Sequence, residues 1–120
     1  MPRYVDGFVL VVARKNLAAY HRMAKLGCKV WRSHGALSYF ECVGDDLKIK
    51  YGRPFPRLVR TRAGETVVFS WIVYKSRAHR DRVNAKVMKD PRMNSMMDMK
   101  HMPFDVKRMS YGGFTVLVEA

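Results

Sequence analysis

The apolar positions keep two rhythms along this chain. Tyr4 to Val12 is a run of aromatic and β-branched residues, the pattern of a strand. From Asn16 the spacing widens to three and four, so Leu17, Tyr20, Ala24, Cys28 and Trp31 share one helical face. Asn16 is the predicted N-cap, and Gly35 stops a helix that ends near His34. Ala36 to Val43 returns to the strand rhythm and closes on the turn Gly44-Asp45-Asp46. A long connection over 45–64 contains Pro54 and Pro56. Within it, Leu47, Ile49 and Tyr51 are expected to form a short extra strand or clasp at a dimer edge. Glu65 to Tyr74 is the clearest strand. Ser76 caps a second predicted helix, which runs to about Asp90 and stops at Pro91. A methionine-rich stretch, Met93 to Met102, precedes a last strand over Arg108 to Glu119 that contains Gly112-Gly113, a sign of a bulge or a close backbone approach.

The order is β-α-β-β-α-β. It predicts an α+β, ferredoxin-like domain over 1–120: a four-stranded antiparallel sheet with both helices on one face. In Glu65 to Tyr74, one face is Val67, Phe69, Trp71 and Val73, and the other is Thr66, Val68, Ser70, Ile72 and Tyr74. Both are largely apolar, and helices cover only one. A bare apolar sheet face marks an interface, so a homodimer joined sheet against sheet is expected.

Composition adds three constraints. The chain has 120 residues, of which 48% are hydrophobic, enough for one globular core. No apolar run reaches the ~18–20 residues that cross a bilayer, and Asp6 precedes the short run Phe8 to Ala13, so a cytoplasmic location is expected and no membrane contact. The net charge of +13 suggests an anionic partner or serves solubility. Cys28 and Cys42 form no metal-type pair, and no phosphate-binding or zinc-protease motif occurs, so no cofactor and no metal are expected.

Several segments together resemble one family. They include Tyr4-Val5-Asp6-Gly7-Phe8-Val9, Val30-Trp31 with His34-Gly35-Ala36-Leu37, Glu41-Cys42-Val43-Gly44-Asp45-Asp46, Ser76-Arg77-Ala78-His79-Arg80-Asp81 and Met102-Pro103-Phe104-Asp105. The chain resembles the bacterial domain-of-unknown-function family 1428 over nearly its whole length. The resemblance implies the dimeric α+β barrel fold, a superfamily that also holds small cofactor-free monooxygenases, muconolactone isomerase-like proteins and stress-responsive barrel proteins. It implies no particular activity.

Three constellations could carry chemistry. The first is a pocket between helices and sheet, with Trp31, Tyr39 and Trp71 as ligand-binding walls and His34 and His79 as acid–base groups. His79 shares a helical face with Val83 and Val87, which points it inward, and Asp6 could orient such a histidine. The competing reading of these residues is ordinary core. The second is polyanion binding. Arg22, Lys25, Lys29 and Arg32 lie on one stripe of the first helix, and Arg53, Arg57, Arg60 and Arg62 crowd the long connection. The element order is that of the RNA-recognition module, but its glycine–aromatic signature is absent from the third strand, so nucleic acid is not the favoured partner. The third is the methionine group Met93, Met96, Met97, Met99 and Met102 with His101, either a soft-metal site or an adaptable apolar flap. A small-molecule binder, a polyanion binder and a ligand-free interaction dimer thus remain open.

Overall fold

The computed structural model of the chain describes residues 2–96 and 101–120. Its elements are β1 (Tyr4–Ala13), α1 (Leu17–Ser33), β2 (Ser38–Val43), α2 (Phe55–Leu58), β3 (Glu65–Tyr74), α3 (Arg77–Lys89), α4 (Met93–Met96) and β4 (Ser110–Thr115). The sheet order is β2-β3-β1-β4, antiparallel throughout. The two strands richest in β-branched residues, β1 and β3, lie side by side at the centre, paired from Tyr4↔Tyr74 to Ala13↔Glu65. Central strands pair along both edges, and β-branched and aromatic side chains suit that setting.

Tyr20, Ala24, Gly27 and Val30 of α1 and Val83 and Val87 of α3 are the buried positions of the two long helices. They meet Leu10, Val12 and Val68 at one end of the sheet and Tyr4, Ile72 and Tyr74 at the other. Thr66, Val68, Ser70, Ile72 and Tyr74 are all buried, so theirs is the face of β3 under the helices. The Ser76 hydroxyl accepts from the His79 N–H and caps α3 as expected. At Asn16 the side chain makes no capping bond, because Arg14–Asn16 form a 3-10 turn that runs straight into α1. Gly113 explains one of the paired glycines: a Cβ there would collide with the Tyr4 ring.

Two segments differ from expectation. Residues 44–54 contain no strand, and Ile49 and Tyr51 are exposed. The Gly44 N–H bonds the Val67 carbonyl, and the chain then leaves the sheet, so Leu47, Ile49 and Tyr51 have no edge to pair with. Pro54 then leads into the single turn α2, whose Phe55 lies 6.1 Å from Phe69. The last strand is also shorter than predicted. Asp105 caps a 3-10 turn at Val106–Arg108, which delays its start, and its partner β1 runs out at the Tyr4↔Thr115 pair. One more bond, Val116 N–H to the Arg3 carbonyl, ends the pairing and leaves Leu117 and Val118 exposed. No helix among the described residues is long and apolar enough to cross a membrane.

Candidate functional site

Strand alternation sends Asp6 and Phe8 of β1 and Tyr111 of β4 toward the helices. Trp31 of α1, Asn84 and Met88 of α3, Met93 and Met96 of α4, and the 102–109 segment stand over them. Together they line a largely apolar, half-open cavity of about 440 Å³. Phe8 and Tyr111 stack at 5.3 Å and form one wall.

The floor is polar and built. Asp6, only 1% exposed, accepts at Oδ1 from Arg80 Nη1 at 2.8 Å. Its Oδ2 lies 3.5 Å from Asn84 Nδ2. The Asn84 Oδ1 accepts from Trp31 Nε1 at 3.0 Å and from the Tyr74 hydroxyl at 3.2 Å. The Arg80 guanidinium sits 4.9 Å over the Tyr4 ring, which fixes its plane. Burial pushes the Asp6 carboxyl above its ordinary range, while the Arg80 charge and hydrogen bonds from Asn84 and Tyr74 pull it back. Burial, and then the Asp6 charge, keep the Tyr74 phenol protonated.

A smaller cavity of about 140 Å³ shares Phe8, Met23, Trp31, Met96 and Phe104 with the first. Along it, Glu41 of β2 accepts from the Tyr20 hydroxyl at 2.7 Å and the Tyr39 hydroxyl at 2.8 Å. Burial raises both phenols, and the Glu41 charge raises them further. Two carboxylates therefore line two adjoining cavities with a shared wall, one facing a cation and one held by hydroxyls.

The expected pocket residues divide. Asp6 and Trp31 line the larger cavity and Tyr39 the smaller. Trp71 does not join them. It belongs to the opposite face of β3 and stacks on Phe40 at 4.9 Å. The period of two puts Trp71 out when Ile72 and Tyr74 go in.

Both histidines also lie outside the cavities. His34 ends α1, and its Nε2 is 2.7 Å from Asp90 Oδ2. Arg92 binds the same carboxylate, and together they hold Asp90 well below the usual range. His79 shares the face of Val83 and Val87 but stands in the first turn of α3, where Nδ1 accepts from the Lys75 N–H at 2.9 Å. Burial, and then Lys75, Arg82 and Lys86, lower its pKa. Asp6 orients no histidine, because Arg80 takes that carboxylate. Sequence reasoning missed Arg80, Asn84, Glu41 and Tyr20. The available signal was Asp6, an acid on the inward face of a central strand that needs a partner, and the four-residue step from Arg80 to Asn84 on one helical face.

The eight basic positions do not form one surface. Arg22, Lys25, Lys29 and Arg32 are exposed on α1, and Arg32 also donates to the Ala36 and Leu37 carbonyls. Arg53, Arg57, Arg60 and Arg62 are exposed on the connection, whose α2 packs on the other side of the sheet. Arg60, at φ 53°, gives its carbonyl to Arg108, and the Arg62 N–H binds Glu65. Of the methionine group, Met93, Met96 and Met102 wall the cavity, while Met97 and Met99 lie outside the described residues. His101 is exposed. Cys28 and Cys42 are free thiols, partly buried.

Comparison with known proteins agrees with this architecture. Residues 3–106 match the family described as protein of unknown function (DUF1428). The uncharacterized YbaA proteins of Escherichia coli strain K12 and of Shigella flexneri are each 41% identical over 117 residues, covering 98% of both chains. Among solved structures, a dimeric ferredoxin-like protein from an uncultured marine organism superposes with a TM-score of 0.65 at 13% identity, covering 100% of each chain. A NIPSNAP family protein of unknown function from Agrobacterium tumefaciens strain C58 gives 0.59 at 16% identity, covering 96% of this chain and 88% of its own. Those two identities speak to fold alone. The chain is a member of the DUF1428 family, built on a ferredoxin-like α+β fold.

Proposed function

We propose that this protein binds a small hydrophobic or aromatic molecule in the cavity between helices and sheet, as a homodimer joined through the open face of the sheet. The observation that carries the reading is the cavity itself: about 440 Å³, aromatic and thioether walls, and a single buried polar cluster at the floor. Cavities of ~300–1,000 Å³, mostly apolar with few convergent polar groups, are the usual setting for small ligands. Methionine walls adapt to varied apolar shapes. The dimer is supported by an aromatic strip on the other face. Phe40, Phe69 and Phe114 are 50%, 44% and 61% exposed on the same face as Trp71, the kind of exposed apolar patch that marks an interface. The solved ferredoxin-like neighbours are themselves described as dimeric.

Titration with the apolar fluorophore Nile red tests the cavity. Saturable binding at one site per chain is expected, weakened about tenfold or more in Met109→Trp, which fills the space. Absence of saturable binding to the wild-type protein would end the reading.

A further inference from the structure

The floor of the cavity leaves a specific vacancy in its hydrogen bonding. An ionised carboxylate offers about four lone-pair sites. Asp6 receives one good bond, from Arg80 at 2.8 Å, and one long contact, from Asn84 at 3.5 Å, with the Tyr74 hydroxyl close by. The Tyr74 hydroxyl is shared between Asp6 and Asn84 Oδ1, and the Trp31 N–H donates to Asn84 Oδ1. Set against about four lone-pair sites, the contacts from Arg80, Asn84 and Tyr74 leave room on Asp6 for one more donor, beside an Asn84 amide with a second N–H to give. Both residues line the cavity. A ligand group that donates to the carboxylate and accepts from the amide fits this floor, and a hydroxyl does both.

Charge narrows the class. On the buried side Arg80 balances the Asp6 carboxylate, while its Nε binds the solvent-exposed Asp81 at 2.8 Å. A cationic ligand would add an uncompensated charge beside Arg80 in a desolvated space, and an anionic one would abut Asp6. Glu41, at the smaller cavity, has two hydroxyl donors rather than a cation, so a cationic probe is the sharpest competitor. The stacked Phe8 and Tyr111 with Trp31 and Phe104 favour a flat ligand.

We infer that the cavity selects a neutral, flat, hydroxyl-bearing molecule of the phenol or enol class, whose O–H donates to Asp6 and whose oxygen accepts from Asn84. The inference rests on the proposed cavity function and adds the ligand's chemistry to it.

The test uses the wild-type protein and a set of naphthalene probes followed by equilibrium dialysis. β-Naphthol should bind at least about tenfold more tightly than its methyl ether and than naphthalene, while β-naphthoate and β-naphthylmethylamine bind more weakly than the naphthol. Equal affinity for the naphthol and its ether, or tighter binding of the amine, overturns the inference and leaves the cavity function standing. Failure of every probe, naphthalene included, counts against the cavity function itself and removes the inference with it. The double variant Asp6→Leu/Arg80→Met locates the effect. It should keep naphthalene binding and lose the preference for the naphthol, and a preference that survives there overturns the assignment to Asp6. The methyl-ether comparison stands even if that variant fails to fold.

Discussion

The two faces of the sheet are made from the same four strands, yet they answer different demands. Phe69 and Ser70 are neighbours in β3, and the phenylalanine is 44% exposed while the serine is 5%. Hydrophobicity alone would invert that order. The helices cover the face of Ser70, Ile72 and Tyr74, and there the chain accommodates an acid, an arginine and an asparagine by pairing them with one another. The face of Phe40, Phe69, Trp71 and Phe114 is covered at one end by the connection and α2, and further along it Phe40 and Phe69 pack against Trp71. A covered face can hold polar chemistry, because exclusion of water strengthens each hydrogen bond. An uncovered apolar face awaits a cover.

The largest effect should come from halving the buried ion pair. Asp6→Ala leaves Arg80 with the exposed Asp81 as its carboxylate partner and an empty place on its buried side, and is expected to cost about 3 kcal/mol in urea unfolding, whereas Asp6→Leu/Arg80→Met restores most of that loss. Equal destabilisation by both would mean that the pair matters for more than charge balance. On the open face, Trp71→Ala should weaken self-association by about 2 kcal/mol or more, read by sedimentation equilibrium, while Nile red affinity stays within about twofold. A wild-type protein already monomeric at micromolar concentration would break this side of the comparison.

Acid titration separates a buried acid from an ion-paired one at the sheet end. Arg108 binds Glu65 through two bonds, at 2.7 and 2.9 Å, and with the Arg62 N–H holds its pKa down to about 2. A folded-state value below the unfolded one gives stability that is present above the unfolded carboxylate pKa and lost as pH falls from about 4 to about 2. Asp6 acts in the opposite sense. Its raised value means the folded state holds the proton longer, so its contribution becomes less favourable as pH rises above the ordinary carboxylate range. Thermal midpoints measured against pH should therefore show a shallower fall between about pH 4 and pH 2 in Glu65→Gln than in the wild type. An unchanged slope would assign the acid loss elsewhere, with Asp90 the next group to replace. The smallest contrast is between the tryptophans. Trp31→Phe removes the N–H donated to Asn84 and should cost about 1 kcal/mol, against at most about 0.5 kcal/mol of monomer stability for Trp71→Phe. Equal losses would show that the indole bond contributes nothing beyond packing.

Local chemistry made the element order readable along most of the chain. Runs of β-branched residues, the Ser76 cap and the Pro91 stop act within a few residues of themselves, so β1, β3 and α3 follow from their own sequences. The alternation of β3 likewise announced two apolar faces. Which face the helices would take was not readable, because both are apolar, and so Trp71 was placed in the pocket rather than beside Phe40.

The pocket itself was half visible. Trp31 and Asp6 announced themselves by type and position, but Arg80 and Asn84 join Asp6 across 74 and 78 residues. The histidines drew attention because imidazole titrates near neutrality, yet each serves a helix end. The sequence by itself determined the strands, the helices and their β-α-β-β-α-β order, since those depend on neighbours a turn or a pleat away. Only the tertiary structure decided which carboxylate met which cation and which aromatic rings stayed uncovered, since those contacts exist only once β1 lies between β3 and β4 and α3 is laid across them.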